Sequence, residues 1–244
     1  MPDSSKKYLS IVIPAYNEEF RLPKTLELVF NYFEKTDYSY EVIVVDDGSV
    51  DNTSQIVREN FNFPDKLKLI SQRSNHGKGF AVSTGVKEAI GEYIIFCDAD
   101  GATPIEEIEK LFESIISEVD IAIGSRGMKQ SNVNDLWHRR MRGKVFNFLI
   151  KIIVISDFND TQCGFKLFKA DCAKRIFSKL ILIGFSFDVE VLFLAKKMGY
   201  SISEVPIRWN AIPGTKLNPF VDPFLMLLAV LKIKFMDIMG KYKI

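Results

Sequence analysis

Glu41-Val42-Ile43-Val44-Val45 is almost wholly apolar, and its β-branched residues would face both sides of an extended chain. A run of this kind cannot rest on a surface. It belongs in the centre of a parallel sheet, where helices cover both faces. Leu9-Ser10-Ile11-Val12-Ile13, Leu67-Lys68-Leu69-Ile70, Tyr93 to Cys97 and Asp120 to Gly124 repeat the pattern. Helical spacing fills the intervals: Leu22, Leu26, Val29, Phe30 and Phe33 share one face over 23–34, and further helices are expected over 53–60, 79–90 and 104–117. This alternation predicts an α/β, Rossmann-like, mostly parallel sheet flanked by helices, with right-handed crossovers. Apolar residues make up 47% of the 244 residues, enough for a large core.

Beyond Arg126 the pattern changes. Residues 140–155 read as a helix with Arg140, Lys144, Asn147 and Lys151 on one stripe and apolar residues elsewhere. Lys166-Leu167-Phe168 and Ile202–Ile207 read as strands, Asp188–Met198 as a helix, and Pro219–Met239 is again apolar. A wide apolar face beside Arg139, Arg140, Arg142, Lys144 and Lys151 is the pattern of an interfacial helix on an anionic membrane. A buried helix or a dimer interface would be similarly apolar, although the basic cluster is harder to place in a core. Lys232, Lys234, Lys241 and Lys243 add charge near the end. The 32 basic residues nearly balance the 31 acidic ones, which argues against a nucleic-acid partner. Cys97, Cys163 and Cys172 have no metal-binding spacing and fit a reducing compartment. Residues 1–10 are polar, and no apolar run approaches the ~18 residues of a membrane span. A soluble or membrane-peripheral protein facing the cytoplasm is expected.

The chemistry collects where strands end, the position at which open α/β sheets bind ligands. Asp98-Ala99-Asp100 follows the strand 93–97, and its two carboxylates can reach one divalent cation, as the departure of a diphosphate requires. Asp46-Asp47-Gly48-Ser49 follows 41–45; turn chemistry alone would also supply these residue types. Pro14-Ala15-Tyr16-Asn17-Glu18 ends the first strand without the glycine fingerprint of a dinucleotide fold. There Tyr16 can lie against a base, and Glu18 or Asp47 can accept hydrogen bonds from a nucleoside. Alternatively, Pro14 simply stops the strand, and Glu18-Glu19 favour the next helix dipole. Asn75-His76-Gly77-Lys78-Gly79 offers flexible backbone and the Lys78 ammonium at a helix start, or merely a glycine loop with a solvated lysine.

Taken in order, these segments resemble the family 2 glycosyltransferases with a GT-A fold. Gly124-Ser125-Arg126, Asp160-Thr161-Gln162-Cys163-Gly164-Phe165-Lys166-Leu167-Phe168, Phe187-Asp188-Val189-Glu190 and Gly214-Thr215-Lys216-Leu217 resemble the polyprenyl-phosphate sugar synthases within it. The resemblance spans roughly residues 9–220. It implies that Pro14, Ala15, Tyr16, Glu18, Asp46 and Asp47 serve the nucleoside side. Asp98, Ala99 and Asp100, with Lys78 beside them, would serve ribose, diphosphate and Mg2+ or Mn2+, with Asp98 and Asp100 as the metal carboxylates. Arg126 and Lys216 fall at basic positions near the donor diphosphate or acceptor phosphate, Gln162 in the motif after the amphipathic segment, and Asp188 on the acceptor side. Ala102 stands where the mannose synthases place a metal-binding Gln, and the short spacing from Val205-Pro206-Ile207 to Lys216 lacks the arginine that they carry in between. Both departures favour the glucosyl branch and a UDP-sugar donor.

The implied reaction is inverting transfer of glucose from UDP-glucose to a polyprenyl or dolichyl phosphate. An anionic phosphate needs no general base, which would leave Asp188 an orienting role. The expected organisation is a GT-A domain over 1–215 with an amphipathic insertion at about 139–156, then a C-terminal amphipathic, membrane-proximal segment over 216–244. A membrane surface is an expected partner, with room for a homo-oligomer or a membrane-protein partner. The competing readings are a GT-A enzyme acting on a saccharide or protein hydroxyl, a GDP-mannose-dependent synthase, a nucleotidyltransferase, and a silent nucleotide-sugar-binding subunit.

Overall fold

A computed structural model describes residues 7–134, 157–212 and 222–243. The apolar runs pair as one seven-stranded sheet in the order β3-β2-β1-β4-β7-β5-β8. In chain order these are β1 (Leu9–Ala15), β2 (Tyr40–Asp46), β3 (Leu67–Ser71), β4 (Tyr93–Cys97), β5 (Ile121–Ser125), β7 (Phe165–Lys169) and β8 (Ile202–Pro206). All run parallel except β7, which lies antiparallel between β4 and β5. A small parallel pair, β6 (Asn132–Asn134) with β9 (Arg208–Asn210), stands apart. The β1 and β2 side chains are buried throughout, as residues covered on both faces must be.

Helices α1 (Leu22–Phe33), α2 (Thr53–Asn60), α3 (Lys78–Glu88), α4 (Ile108–Ile116), α5 (Ala170–Phe177), α6 (Phe187–Lys197) and α7 (Asp222–Ile238) complete the fold. The helix read over 104–117 begins as a 3-10 turn, Ile105–Glu107, before α4. Two apolar layers result. One packs α3, α5 and α6 against Val12, Phe96, Ile123 and Phe168; the other packs α1 and α4 against Ile11, Val44, Ile95 and Leu167. Glu41 is tolerated at the buried start of β2 because Ser10 Oγ (2.5 Å) and the Ile90 N–H (2.8 Å) both donate to it.

The last helix ends in a tightly held tail. Gly240 adopts φ +70°, and the Lys241 N–H reaches back to the Met236 carbonyl at 3.0 Å, so the left-handed residue closes the helix. The chain then drives Tyr242, 2% exposed, against α6. Its hydroxyl donates to Glu190 Oε1 at 2.5 Å, and that carboxylate also accepts the Ile181 and Leu182 N–H groups at 2.9 and 2.7 Å. Among the described residues no helix is long and apolar enough to cross a membrane. The amphipathic insertion expected at 139–156, with Arg139, Arg140, Arg142, Lys144 and Lys151, lies outside the described residues, as does Lys216.

Candidate active site

One antiparallel strand decides what the site contains. Because β7 alone is reversed, its entry, Asp160–Gly164, meets the exits of β1, β2, β4, β5 and β8 at the same sheet edge. The β1–β4 pairing stops at Val12 and Phe96, where the strand order reverses, the position at which an open α/β sheet has its ligand crevice; Pro14 beside it has no N–H to donate.

On the nucleoside side the exits of β1 and β2 are stitched together. The Asn17 N–H donates to Ser49 Oγ (2.8 Å), the Glu18 N–H to Thr53 Oγ1 (2.7 Å), and the Val50 N–H to Asn17 Oδ1 (2.9 Å). Asn17 holds φ +52°, a strained value that these bonds sustain. Glu18 is gripped by Arg21 through Nε at 2.7 Å and Nη2 at 2.6 Å. Asp46 accepts from the Ser49 N–H (3.0 Å) and from the hydroxyls of Ser49 and Ser54. Asp47, 2% exposed, accepts the His76 and Gly77 N–H groups at 3.0 and 2.7 Å. Burial raises its pKa, and those two donors work against the rise. Both carboxylates are therefore engaged in shaping loops that line the crevice. Tyr16 is partly exposed beside them, and Ala15 is buried.

The β4 exit holds the second group. Lys78, in the first turn of α3, places Nζ 2.6 Å from Asp98 Oδ1. Burial opposes its charge, but Asp98, Asp188 and Asp100 outweigh that and raise its pKa. Asp100 accepts the Ala102 N–H at 3.0 Å. Its pKa is raised by burial first and Asp98 second, with the Ala102 N–H, Arg21 and Lys78 opposing. Two carboxylates two residues apart at a strand exit are a donor set that a hard divalent cation would accept. Thr25 Oγ1 donates to the carbonyl of buried Ala99 at 2.8 Å, tying the turn to α1.

Arg126, at the β5 exit, is held by Asp160: Nε at 2.6 Å, Nη2 at 3.0 Å, and the backbone N–H at 3.0 Å. Its guanidinium lies 5.5 Å from the Trp209 ring centroid. β9 is docked on the carboxylate turn by the Asn210 N–H, which donates to the Ala102 carbonyl at 2.8 Å. Asp160 in turn is fixed by Glu204, which accepts its N–H at 2.8 Å. Burial raises the Asp160 pKa, but Arg126 overcomes this and leaves it below the usual range. The Gln162 N–H donates to Asp160 Oδ1 at 3.1 Å. Asp188, in the first turn of α6 and 3% exposed, is paired with fully buried Lys166.

The described candidates therefore share one sheet edge, with Lys78, Asp98, Asp100 and Asp188 forming one electrostatic group. Four partners escaped the sequence reading as site residues: Arg21, Asp160, Lys166 and Trp209. Arg21 stands i,i+3 from Glu18, a spacing that signals a pair. Lys166 stands out only as a lysine among Phe165, Leu167 and Phe168.

A mostly parallel sheet with one reversed strand, and paired carboxylates after β4 at its edge, define the class: a GT-A-like glycosyltransferase. Residues 10–177 match the model of glycosyl transferase family 2, and the chain belongs to that family. The dolichyl-phosphate beta-glucosyltransferase of Mus musculus is 40% identical over 233 residues, 89% of this chain and 72% of that protein. The Saccharomyces cerevisiae enzyme of the same name is 34% identical over 261 residues, 99% of this chain and 78% of the relative. Among solved structures, Mycobacterium tuberculosis glucosyl-3-phosphoglycerate synthase with Mn2+, UDP and glucosyl-3-phosphoglycerate superposes with TM-score 0.67 at 18% identity, covering 92% of this chain and 78% of that one. Mannosyl-3-phosphoglycerate synthase from Rubrobacter xylanophilus gives 0.70 at 15% identity, covering 98% and 76%. At such identities these structures speak for the fold alone.

Proposed function

We propose that this glycosyltransferase moves glucose from UDP-glucose to the phosphate of a dolichyl or other polyprenyl phosphate, with inversion, giving a β-linked lipid-phosphate sugar. The observation that carries the reading is the Asp98–Asp100 pair, two carboxylates directly after β4 at the sheet edge, in a chain 40% identical to a protein named for that reaction.

The pair fits Mg2+ or Mn2+. Among the described residues no group of three or more His, Cys, Asp or Glu assembles, so two carboxylates are the protein's share. Hard cations are commonly held in that way, with substrate phosphates and water completing the shell. A bound cation there supplies positive charge against the departing diphosphate. The protein's own residues supply the rest. Lys78 holds Asp98 in place, and Arg126, locked by Asp160, presents a fixed guanidinium near the same charges. Together with Lys216, these cations would orient donor and acceptor phosphates for in-line attack, the main source of acceleration when the nucleophile is already anionic. Asp188 faces a buried ammonium, which suits an orienting role better than proton removal.

A lipid acceptor requires contact with a membrane surface. On α7, Leu228, Leu231, Phe235 and Ile238 are 47, 48, 63 and 83% exposed at helical spacing, while Val230 and Ile233 face the core. Exposed Lys232 and Lys234 flank this stripe, as an anionic bilayer would favour. This supports a peripheral position, which we place on the cytoplasmic face of a membrane.

The test is transfer from radiolabelled UDP-glucose to a short polyprenyl phosphate, with Mg2+ and with EDTA. Metal-dependent label in the organic phase, lost in Asp100→Asn, is the expected result. Label reaching only water-soluble acceptors, or transfer only from GDP-mannose, would overturn it.

A further inference from the structure

Lys166 is a feature of the site's surroundings that ordinary packing does not account for. It sits mid-sheet on β7, opposite Phe96 on β4 and Ile123 on β5, with no exposed surface. An apolar residue would fill that position at lower cost, because a buried ammonium must replace all of its hydration. Its hydration is replaced by specific partners. Nζ donates to the Cys163 carbonyl at 2.6 Å and to Asp188 Oδ1, and it lies 5.3 Å from the Phe96 ring centroid.

Both acceptors lead to the same carboxylate. The Cys163 carbonyl is followed by Gly164, whose backbone lies flush against Asp98: a Cβ built there would meet Oδ2 at 2.3 Å. Asp188 leads there by the other route. Its charge acts on Lys78, whose ammonium is 2.6 Å from Asp98 Oδ1. One arm of Lys166 therefore fixes the wall behind Asp98, and the other anchors the counter-charge that faces Lys78.

We propose that Lys166 is a positioning residue for the cation-binding carboxylates, setting the orientation of Asp98 through the Cys163–Gly164 backbone and through Asp188 and Lys78. The assignment rests on the proposed role of Asp98 and Asp100 in holding a divalent cation with UDP. Lys166 touches neither substrate nor metal. Its role resembles that of the outer partners that orient metal ligands elsewhere, whose loss costs about 10–100-fold in affinity.

The experiment is Mn2+ binding in the presence of UDP, followed by electron paramagnetic resonance on the full chain, with folding checked by circular dichroism and thermal melting. Lys166→Met keeps an unbranched side chain, one atom shorter, and removes its donors. Gly164→Ala leaves Lys166 intact and pushes a methyl group into the Asp98 carboxylate. Both are expected to raise the apparent dissociation constant for Mn2+ about 10–100-fold, with metal-free UDP binding unchanged. A folded Lys166→Met that melts earlier yet binds Mn2+ like the wild type would overturn the proposal, because Lys166 would then be structural only. Should Lys166→Met not fold, wild-type Mn2+ affinity in Gly164→Ala would overturn it equally. A wild-type protein that binds no Mn2+ with UDP would instead remove the functional reading beneath it.

Discussion

Tyr242→Phe isolates one buried hydrogen bond. The ring remains, tilted against Phe193 at a centroid distance of 5.6 Å, so little or no cavity forms. What disappears is the 2.5 Å bond to Glu190, a side chain with no exposed surface. A hydrogen bond to a charged group contributes about 1.5–3 kcal/mol. The Ile181 and Leu182 N–H groups still serve Glu190, which places the loss near the lower half of that range, about 2 kcal/mol. For a chain of this size that is a fall of roughly 4–8 °C in Tm. The pH dependence has a definite sign. Burial already holds the Glu190 pKa above its ordinary value, with Tyr242 foremost among the groups opposing the rise. Without the hydroxyl the pKa climbs further. A carboxyl with a raised folded-state pKa contributes its full stability below the unfolded value and loses it as pH rises through the folded one. The deficit of Tyr242→Phe should therefore be largest at neutral pH and narrow on acidification. Thermal melts of both proteins at pH 7.5 and pH 5 measure it. A change within about 1 °C at pH 7.5, far below the expected shift, or a deficit that widens in acid, would refute the reasoning.

Asp188→Asn should slow sugar transfer about tenfold and leave the pH–rate profile in place, as expected of an orienting group. A loss of about a thousandfold with a displaced profile would mark Asp188 as the general base instead. Gly48→Ala should lower stability by about 3 kcal/mol, combining left-handed strain with overpacking. Gly48 holds φ +74°, and a Cβ there would come 2.4 Å from the Ser74 carbonyl carbon. An unchanged melting curve would show that the β2 exit can yield.

How much of this was legible beforehand depends on how local each signal was. The central strands announced themselves because burial on both faces leaves almost only β-branched and aromatic residues, and β1, β2, β4 and β5 fall where those runs lie. α5 escaped because it spans eight residues and its buried side includes small Cys172 and Ala173, while Asp171, Lys174 and Arg175 dilute the periodicity. The reversal of β7 was invisible, since a residue pattern reads the same whichever way a strand runs. The carboxylates of Asp98 and Asp100 were legible because they directly follow a strand. Their supports were not: Arg126 meets Asp160 across 34 residues, and Lys166 meets Asp188 across 22. Only the tertiary fold creates those pairs.

The reversed strand also separates two kinds of change. Parallel strands deliver residues to the edge from their ends, and those exits are bound to the register of β1, β2 and β4. β7 delivers from its beginning, so Asp160–Gly164, which hold Arg126 and back Asp98, reach the same edge just ahead of the ladder that starts at Phe165. An exchange that keeps Asp160 and Gly164 would preserve those supports, while one that replaces them would reach the carboxylates as well. A chimera that grafts the approach to β7 from one family member onto the sheet of another should keep its transferase activity only where Asp160 and Gly164 are retained.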